Sequence, residues 1–266
     1  MKFIKFNYNE KESYGLLEND TIKFIDGDIF NTYIVTGQTV KMNDVKILPP
    51  TNPSKIVCVG LNYLDHQKEM NEFTDQFPKL FIKPNTCIIG DNDNIISPIG
   101  VERVDFEGEL AVVIKKTAKN IAKGSARDYI LGYTCLNDVT AREIQKLDGQ
   151  WTRAKSFDTF APVGPVIETD IDPNNVLLKT LVNGKLRQNA NTNLLIWNID
   201  FLIEEISKIM TLLPGDIITS GTPSGCGKLE IGDKVEVVIE GIGTLTNYLV
   251  GGWKICLQKH LVEQRI

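Results

Sequence analysis

Two glutamates, Glu107 and Glu109, stand directly before a run of five apolar residues that predicts a buried strand, Leu110–Ile114. Side chains two positions apart on a strand point to the same face, so we expect the two carboxylates to lie side by side. Neighbouring carboxylates repel each other unless a cation lies between them. Gly108 would let another backbone approach the pair closely. The alternative is a solvent-facing strand edge, but the apolar run that follows favours a site in the interior.

A third carboxylate, Asp138, ends a second apolar strand at Tyr133–Leu136 and precedes Thr140–Lys146, which predicts a helix. Capping that helix is the alternative role for this residue. With the two glutamates it would instead complete a metal site made only of oxygen ligands. Mg²⁺ prefers a few carboxylates and leaves its other positions to water or substrate. Zinc favours His and Cys, and the chain has only two histidines, His66 and His260.

His66 and Glu69 are three residues apart in a segment that predicts a short helix, Asp65–Glu72. Residues at this spacing are neighbours on one helical face. A carboxylate beside a histidine fixes its tautomer and raises its basicity, which suits a general base that acts on water. The alternative is a surface histidine beside an acid that stabilises the helix.

Lys155 stands among apolar and small residues in Trp151–Asp158. A lysine in such a place could neutralise an oxyanion or a bound acid. An ordinary surface lysine is the alternative interpretation.

The glycine-rich segment Ser220–Lys228 is not a phosphate-binding P-loop, because its spacing is one residue too long and Leu229 replaces the required Ser or Thr. Backbone N–H groups in this segment and the Thr222 hydroxyl could instead bind a substrate carboxylate. Cys226 is interpreted as a bystander, because no histidine is near it in sequence to activate it.

Around these residues the sequence predicts many strands and few helices, the longest helix at Asp200–Met210. The proline-rich segment Leu48–Pro53 predicts a linker, because clustered prolines continue neither a helix nor a central strand. We therefore expect two domains, a small N-terminal β domain at residues 1–50 and a catalytic domain at residues 51–266. Strands and helices do not alternate regularly, so the expected class is α+β rather than a Rossmann or TIM architecture.

Composition excludes several classes of function. The net charge of −5 argues against a nucleic-acid partner, which requires a basic surface. No apolar run approaches the length of a membrane span, and the N-terminus lacks the features of a signal peptide. The five scattered cysteines include no C-x-x-C pair and are typical of reduced thiols. We therefore expect a cytoplasmic protein without a membrane or nucleic-acid partner.

Taken in order, these motifs resemble the fumarylacetoacetate hydrolase family. The resemblance runs from about Lys55 to Tyr248, and the short first segment resembles the extra N-terminal β domain of longer bacterial members. It rests on six segments: Val59–Tyr63 with His66 and Glu69, Leu80–Pro84, Glu107–Glu109, Asn137–Arg142, Ala154–Asp158 and Gly221–Pro223.

The resemblance implies a mixed β-sandwich roll with few short helices, usually a homodimer, that binds Mg²⁺, with Mn²⁺ or Ca²⁺ as substitutes. It implies roles for eleven residues: Glu107, Glu109 and Asp138 as metal ligands; His66, Glu69 and Lys155 in catalysis; Tyr63, Lys83, Arg142, Gln145 and Thr222 in substrate binding. The charges of the three carboxylates, the divalent metal and Lys155 would together sum to zero before substrate binds.

The first hypothesis is hydrolysis of a C–C bond in a 2,4-dioxo acid, such as an acylpyruvate or a fumarylacetoacetate-like compound, through a metal-stabilised enolate. The second is decarboxylation or isomerisation of oxaloacetate-like or 2-hydroxy-diene diacids in aromatic catabolism. The third is a catalytically silent member that only binds a 2-oxo acid. The substrate in each case is a small 2-oxo acid.

Overall fold

The computed structural model describes residues 1–74 and 76–252, so Cys256 and His260 lie outside the described residues. The described chain is rich in strands, which are β1 (Lys2–Tyr8), β2 (Lys11–Glu18), β3 (Thr21–Gly27), β4 (Tyr33–Lys41), β5 (Lys46–Ile47), β6 (Ile56–Gly60), β7 (Lys79–Lys83), β8 (Ile88–Ile89), β9 (Asn94–Ser97), β10 (Val104–Phe106), β11 (Gly108–Ile114), β12 (Ile130–Asn137), β13 (Thr140–Ala141), β14 (Ala161–Glu168), β15 (Leu177–Val182), β16 (Lys185–Asn191), β17 (Ile217–Thr219), β18 (Gly227–Leu229), β19 (Lys234–Ile239) and β20 (Gly243–Gly251).

The α-helices of the described chain are short, and they are α1 (Leu64–Met70), α2 (Arg142–Asp148), α3 (Thr152–Lys155) and α4 (Ile199–Ile209). Single 3-10 turns cover Met42–Asp44, Asn85–Cys87, Ala126–Tyr129 and Thr192–Leu194.

The strands form three sheets of mixed direction. The large sheet has twelve strands in the order β4-β3-β2-β1-β14-β12-β11-β17-β6-β7, with β5 beside β1 and β8 beside β14. The second sheet has the order β16-β15-β19-β20-β9, and the third has the order β13-β10-β18. Most neighbouring strands are antiparallel, but β17 and β6, β14 and β8, and β20 and β9 are parallel pairs. This strand-rich architecture confirms the predicted α+β roll.

The core lies between the large sheet and the five-stranded sheet. Every residue of β11 and β14 is buried, as expected for strands that are covered on both faces. In β19 buried and partly exposed residues alternate, as expected for a strand with only one covered face. One apolar cluster joins side chains from both sheets and from α4, including Leu110, Val112, Cys135, Leu202, Ile203, Val237, Ile239 and Leu245.

The N-terminal segment is continuous with the catalytic region through the large sheet. Lys2 and Phe3 of β1 pair with Glu168 and Ile167 of β14 in antiparallel register. The proline-rich linker at residues 48–53 has no strand or helix, as its composition predicts. The division into domains at residues 1–50 and 51–266 stays a prediction. Within the part of the chain that the structure describes, no helix is both long and apolar enough to cross a membrane.

The three predicted helices exist, with shifted ends. The helix predicted at residues 65–72 ends at Met70, because Asn71 takes a left-handed conformation and its N–H bonds back to Gln67 and Lys68. The helix predicted at residues 140–146 starts later, at Arg142, because residues 140–141 form strand β13. Helix α3 lies in a segment where no helix was predicted.

The sequence suggested that Gly108 lets another backbone approach closely. In the structure the groups that approach Gly108 are side chains. A Cβ atom at this position would lie 2.1 Å from Thr180 Oγ1 and 3.2 Å from Gln188 Oε1. Both of those side chains are buried, so they have little room to move away.

We therefore predict that Gly108→Ala lowers the free energy of unfolding by about 2 kcal/mol or more, through overpacking between the two glutamates. Urea denaturation measures the change. Gly37→Ala is the matched control, because a Cβ atom there meets nothing within 4 Å. Equal losses for the two variants would contradict this account of Gly108.

Candidate active site

Glu107, Glu109 and Asp138 converge in the structure. One carboxylate oxygen from each lies within 4.8 Å of the others, and the three residues are only 4%, 2% and 1% exposed. Glu109 lies on β11, but Glu107 lies in the break between β10 and β11, where the chain passes from the three-stranded sheet to the large sheet. The prediction that the two glutamates are neighbours on one strand face is therefore wrong. Glu109 lies on β11, whereas Glu107 lies just before it, where the chain changes sheet.

Asp138 is brought to the glutamates by the pairing of β11 with β12. Gly108 pairs with Asn137, and the Asp138 N–H donates to the Glu107 carbonyl over 2.8 Å. The alternative role as a helix cap is excluded, because α2 begins at Arg142 and its N-cap residue is Ala141.

Two buried lysines hold the carboxylates. Lys155 Nζ donates to Glu107 Oε2 over 2.7 Å and to Asp138 Oδ2 over 2.6 Å. Lys83 Nζ donates to Asp138 Oδ1 over 2.6 Å and to the Val139 carbonyl over 3.0 Å. Burial alone would lower the pKa of Lys155, but the Asp138 and Glu107 carboxylates outweigh it and raise this pKa above its ordinary value. Lys155 is therefore a buried group whose charged form is favoured by its two carboxylate partners, and not a surface lysine.

Arg142 supplies a third cation on the other side of Glu107. Its guanidinium bonds Glu107 Oε1 and Asp105 Oδ2, and Asp105 also pairs with Arg103. Burial alone would raise the pKa of Glu107, but the charges of Lys155 and Arg142 outweigh it and hold this pKa below its usual range. Glu107 therefore stays ionised.

Glu109 differs from the other two carboxylates. Burial, and next the charge of Asp138, raises the pKa of Glu109 well above its usual value. Its Oε2 accepts a bond from the Gly221 N–H over 3.0 Å, and within residues 1–74 and 76–252 no lysine or arginine forms an ion pair with it. A buried carboxylate without a cation, beside two others, is what a divalent ion would complete, so these residues fit a metal site.

His66 and Glu69 are bonded as their spacing predicts, with 3.0 Å between His66 Nδ1 and Glu69 Oε2. His66 is buried, which excludes a surface role. Helix α1 is fixed to the glycine-rich segment, because Gly225 N–H donates to Glu69 over 3.0 Å and the Ser224 hydroxyl donates to Asp65 over 2.6 Å.

The glycine-rich segment differs in part from its predicted role. The N–H groups of Gly221 and Gly225 already bind Glu109 and Glu69, so they are not free for a substrate. The Thr222 hydroxyl donates to the Gly108 carbonyl over 2.9 Å and accepts from Gln188 Nε2 over 2.8 Å. The segment therefore holds protein carboxylates and the backbone between the two glutamates.

The carboxylates and His66 open onto one narrow cleft. Its lining consists of Val59, Gly60, Leu61, His66, Met70, Glu72, Phe81, Glu107, Glu109, Asp138, Arg142, Gln145, Trp151, Lys155 and Thr222. Three of the five residues predicted to bind substrate are therefore at the cleft. Tyr63 and Lys83 are not: both are fully buried behind it, and Lys83 already bonds protein atoms. Their positions do not support substrate contact, and we assign Lys83 to positioning Asp138.

Sequence reasoning missed two kinds of residue. Gln188 on β16 accepts from the Gly108 N–H over 2.9 Å and donates to Thr222, so it connects the glutamate pair to the glycine-rich segment. Phe81 and Trp151 form an edge-to-face pair, 5.2 Å between centroids, in the cleft wall. Both aromatic residues lie within the segments Leu80–Pro84 and Trp151–Asp158, whose other residues pointed to the site, and this position is a signal that could have found them. Gln188 has no such signal.

Comparisons with known proteins identify the family of this chain. The family model described as "Fumarylacetoacetate (FAA) hydrolase C-terminal" matches residues 55–250, and the model "Rv2993c-like, N-terminal" matches residues 1–50. Protein MJ1656 of Methanocaldococcus jannaschii is 51% identical over 227 residues, which cover 85% of this chain and 93% of that protein.

Solved structures show the same fold. The 2-hydroxyhepta-2,4-diene-1,7-dioate isomerase from Mycobacterium marinum is 45% identical, with a TM-score of 0.88 over 94% of this chain and 98% of that chain. Maleylpyruvate hydrolase from Sphingobium sp. SYK-6, in complex with manganese(II) and pyruvate, is 29% identical, with a TM-score of 0.80 over 95% of this chain and all of that chain. The family model covers most of the chain, which confirms the predicted resemblance. The protein is therefore a member of the fumarylacetoacetate hydrolase family of enzymes.

Proposed function

We propose that this protein is a divalent-metal-dependent hydrolase that cleaves a C–C bond in a 2,4-dioxo acid. One observation carries the proposal: a buried carboxylate triad, in which no described lysine or arginine pairs with Glu109, shares a cleft with His66, which is bonded to Glu69. The triad is suited to binding an ion and an acidic substrate, and the pair is suited to activating water.

We propose Mg²⁺ as the ion, with Mn²⁺ or Ca²⁺ as substitutes, held by Glu107, Glu109 and Asp138. Hard divalent ions favour such all-oxygen ligands. The manganese in the Sphingobium relative supports a divalent ion in this fold.

The charges of the site favour an anionic substrate. Four carboxylates (Asp105, Glu107, Glu109, Asp138) face four cations (Lys83, Arg103, Arg142, Lys155), so their formal charges balance. This balance corrects the sequence-based sum, which counted Lys155 alone among the cations. A divalent ion would therefore leave the site with two positive charges, which suits a 2-oxo acid whose negative charge grows as an enolate forms.

When bound, the ion supplies Lewis-acid stabilisation of the negative charge that develops on the substrate. His66 takes a proton from water, and Glu69, bonded to the other side of the ring, holds the orientation of the imidazole. The water oxygen attacks the distal carbonyl carbon, the C–C bond breaks, and its electron pair passes to the pyruvyl part, which then takes up a proton. Lys155 is kept charged by two carboxylates, so it acts electrostatically and not as a base.

An isomerase or decarboxylase of diacids is the second candidate function, favoured by the isomerase from Mycobacterium marinum at 45% identity. The same enolate would form without attack by water. A homodimer and a cytoplasmic location also stay predictions.

We predict Mg²⁺- or Mn²⁺-dependent cleavage of an acylpyruvate by the purified protein. Chelation should abolish it, and Glu109→Gln should reduce turnover by about 100-fold or more, because the ion loses a charged ligand. Asp20→Asn, which changes a carboxylate exposed at the surface, should retain full activity. No turnover of any 2,4-dioxo acid in a panel would refute the hydrolase proposal.

His66→Ala separates the two candidate functions. Loss of the base that activates water should reduce hydrolysis by roughly 100- to 10,000-fold. Decarboxylation of oxaloacetate, which needs no attacking water, should survive the substitution. If both activities fell equally, His66 would have a role in the shared enolate step, contrary to the mechanism above.

Metal binding should release a proton from Glu109. Its raised pKa means that the carboxyl of the metal-free protein stays protonated above its ordinary range, and it must ionise to bind the ion. The apparent affinity for Mn²⁺ should therefore increase with pH until that raised pKa is passed. Calorimetry in buffers of different ionisation enthalpy measures the released proton, and Glu109→Gln should abolish this component. Buffer-independent heats for the unchanged protein would contradict the assignment.

A further inference from the structure

His66, which lines the cleft, forms a second cluster of metal-ligating groups with Glu69 and Cys226. One ligand atom from each lies within 4.8 Å of the others. Glu69 Oε2 lies 3.0 Å from His66 Nδ1 and 3.7 Å from Cys226 Sγ. Cys226 was interpreted as a bystander because no histidine is near it in sequence, but the fold brings His66 to it.

The spacing and chemistry of these atoms suit zinc. Zinc binds nitrogen and oxygen ligands at about 2.0–2.2 Å and sulfur at about 2.3 Å, so tetrahedral ligand atoms are separated by roughly 3.3–3.8 Å. The observed separations lie close to this range. A set of one nitrogen, one sulfur and one carboxylate oxygen favours a borderline-soft ion over Mg²⁺, which prefers oxygen alone.

The cluster is more open to solvent than the carboxylate triad. The Glu69 side chain is 34% exposed and Cys226 is half-buried. The Arg142 guanidinium lies 3.9 Å from Cys226 Sγ and would oppose a cation, but it is neutralised by Asp105 and Glu107. Asp65, on the same helix as Glu69, adds negative charge nearby.

We propose that His66, Glu69 and Cys226 bind Zn²⁺ or a similar borderline-soft divalent ion, and that this binding inhibits the enzyme. The Cys226 thiol loses its proton to solvent as Sγ bonds the ion, and the hydrogen bond between His66 and Glu69 is replaced by bonds to the ion. The histidine can then no longer take a proton from water with Glu69 as its partner. The inhibition rests on the proposed hydrolase function, whereas the binding does not.

Cobalt is the direct probe of binding. Titration of the metal-free full-length protein with Co²⁺ under anaerobic conditions should produce a thiolate-to-cobalt charge-transfer band in the near ultraviolet. The carboxylate triad has no sulfur and contributes nothing to this band. Cys226→Ser should abolish it and Asp20→Asn, a change at the exposed surface, should leave it intact. Absence of the band, or its persistence in Cys226→Ser, would overturn the proposal.

Zinc inhibition is the functional probe. With the protein loaded with Mn²⁺, added Zn²⁺ should inhibit the unchanged chain and Asp20→Asn at the same concentration. Cys226→Ser should need roughly tenfold more zinc or higher, relative to its own activity, because a ligand is lost. Equal inhibition of all three proteins would contradict the site. A cobalt band from a protein that shows no turnover when loaded with Mn²⁺ alone would instead refute the hydrolase function and leave the metal site supported.

Discussion

Three carboxylates buried within 4.8 Å of one another are the electrostatic constraint on which the rest of this structure depends. An uncompensated charge in a protein interior is disfavoured by several kcal/mol. The chain compensates Glu107 and Asp138 with Lys155, Lys83 and Arg142, whereas Glu109 has no cation of its own among the residues that the structure describes. The imbalance within the cluster, rather than the presence of acids, is what points to a bound ion.

The sheets explain how such a cluster can be rigid. Glu109 and Asp138 extend from paired strands of the large sheet, and Glu107 stands where the chain enters that sheet from the three-stranded sheet. Gln188 and the Thr222 hydroxyl bond the Gly108 backbone on both its N–H and its carbonyl. Helix α1 is in turn fixed to the glycine-rich segment, so the histidine and the carboxylates share one framework.

Much of this site could be predicted from sequence, because the signals were local. The i,i+3 spacing of His66 and Glu69 and the apolar strand after Glu109 needed no knowledge of distant contacts. Gln188, the burial of Lys83 and the approach of Cys226 to Glu69 could not be predicted in this way. Each depends on a tertiary contact, 157 residues apart in sequence for Cys226 and Glu69. The start of the helix at Arg142 was predicted two residues too early for a related reason. Residues 140–141 pair with β10, and this tertiary pairing overrides their local helical preference.

The anomalous scattering of a crystal soaked in Mn²⁺ tests the central claim most directly. The account predicts one strong anomalous peak enclosed by carboxylate oxygens of Glu107, Glu109 and Asp138, with Lys155 still bonded to two of them. A peak elsewhere with none between these three residues would contradict it, as would an occupied site from which Glu109 points away.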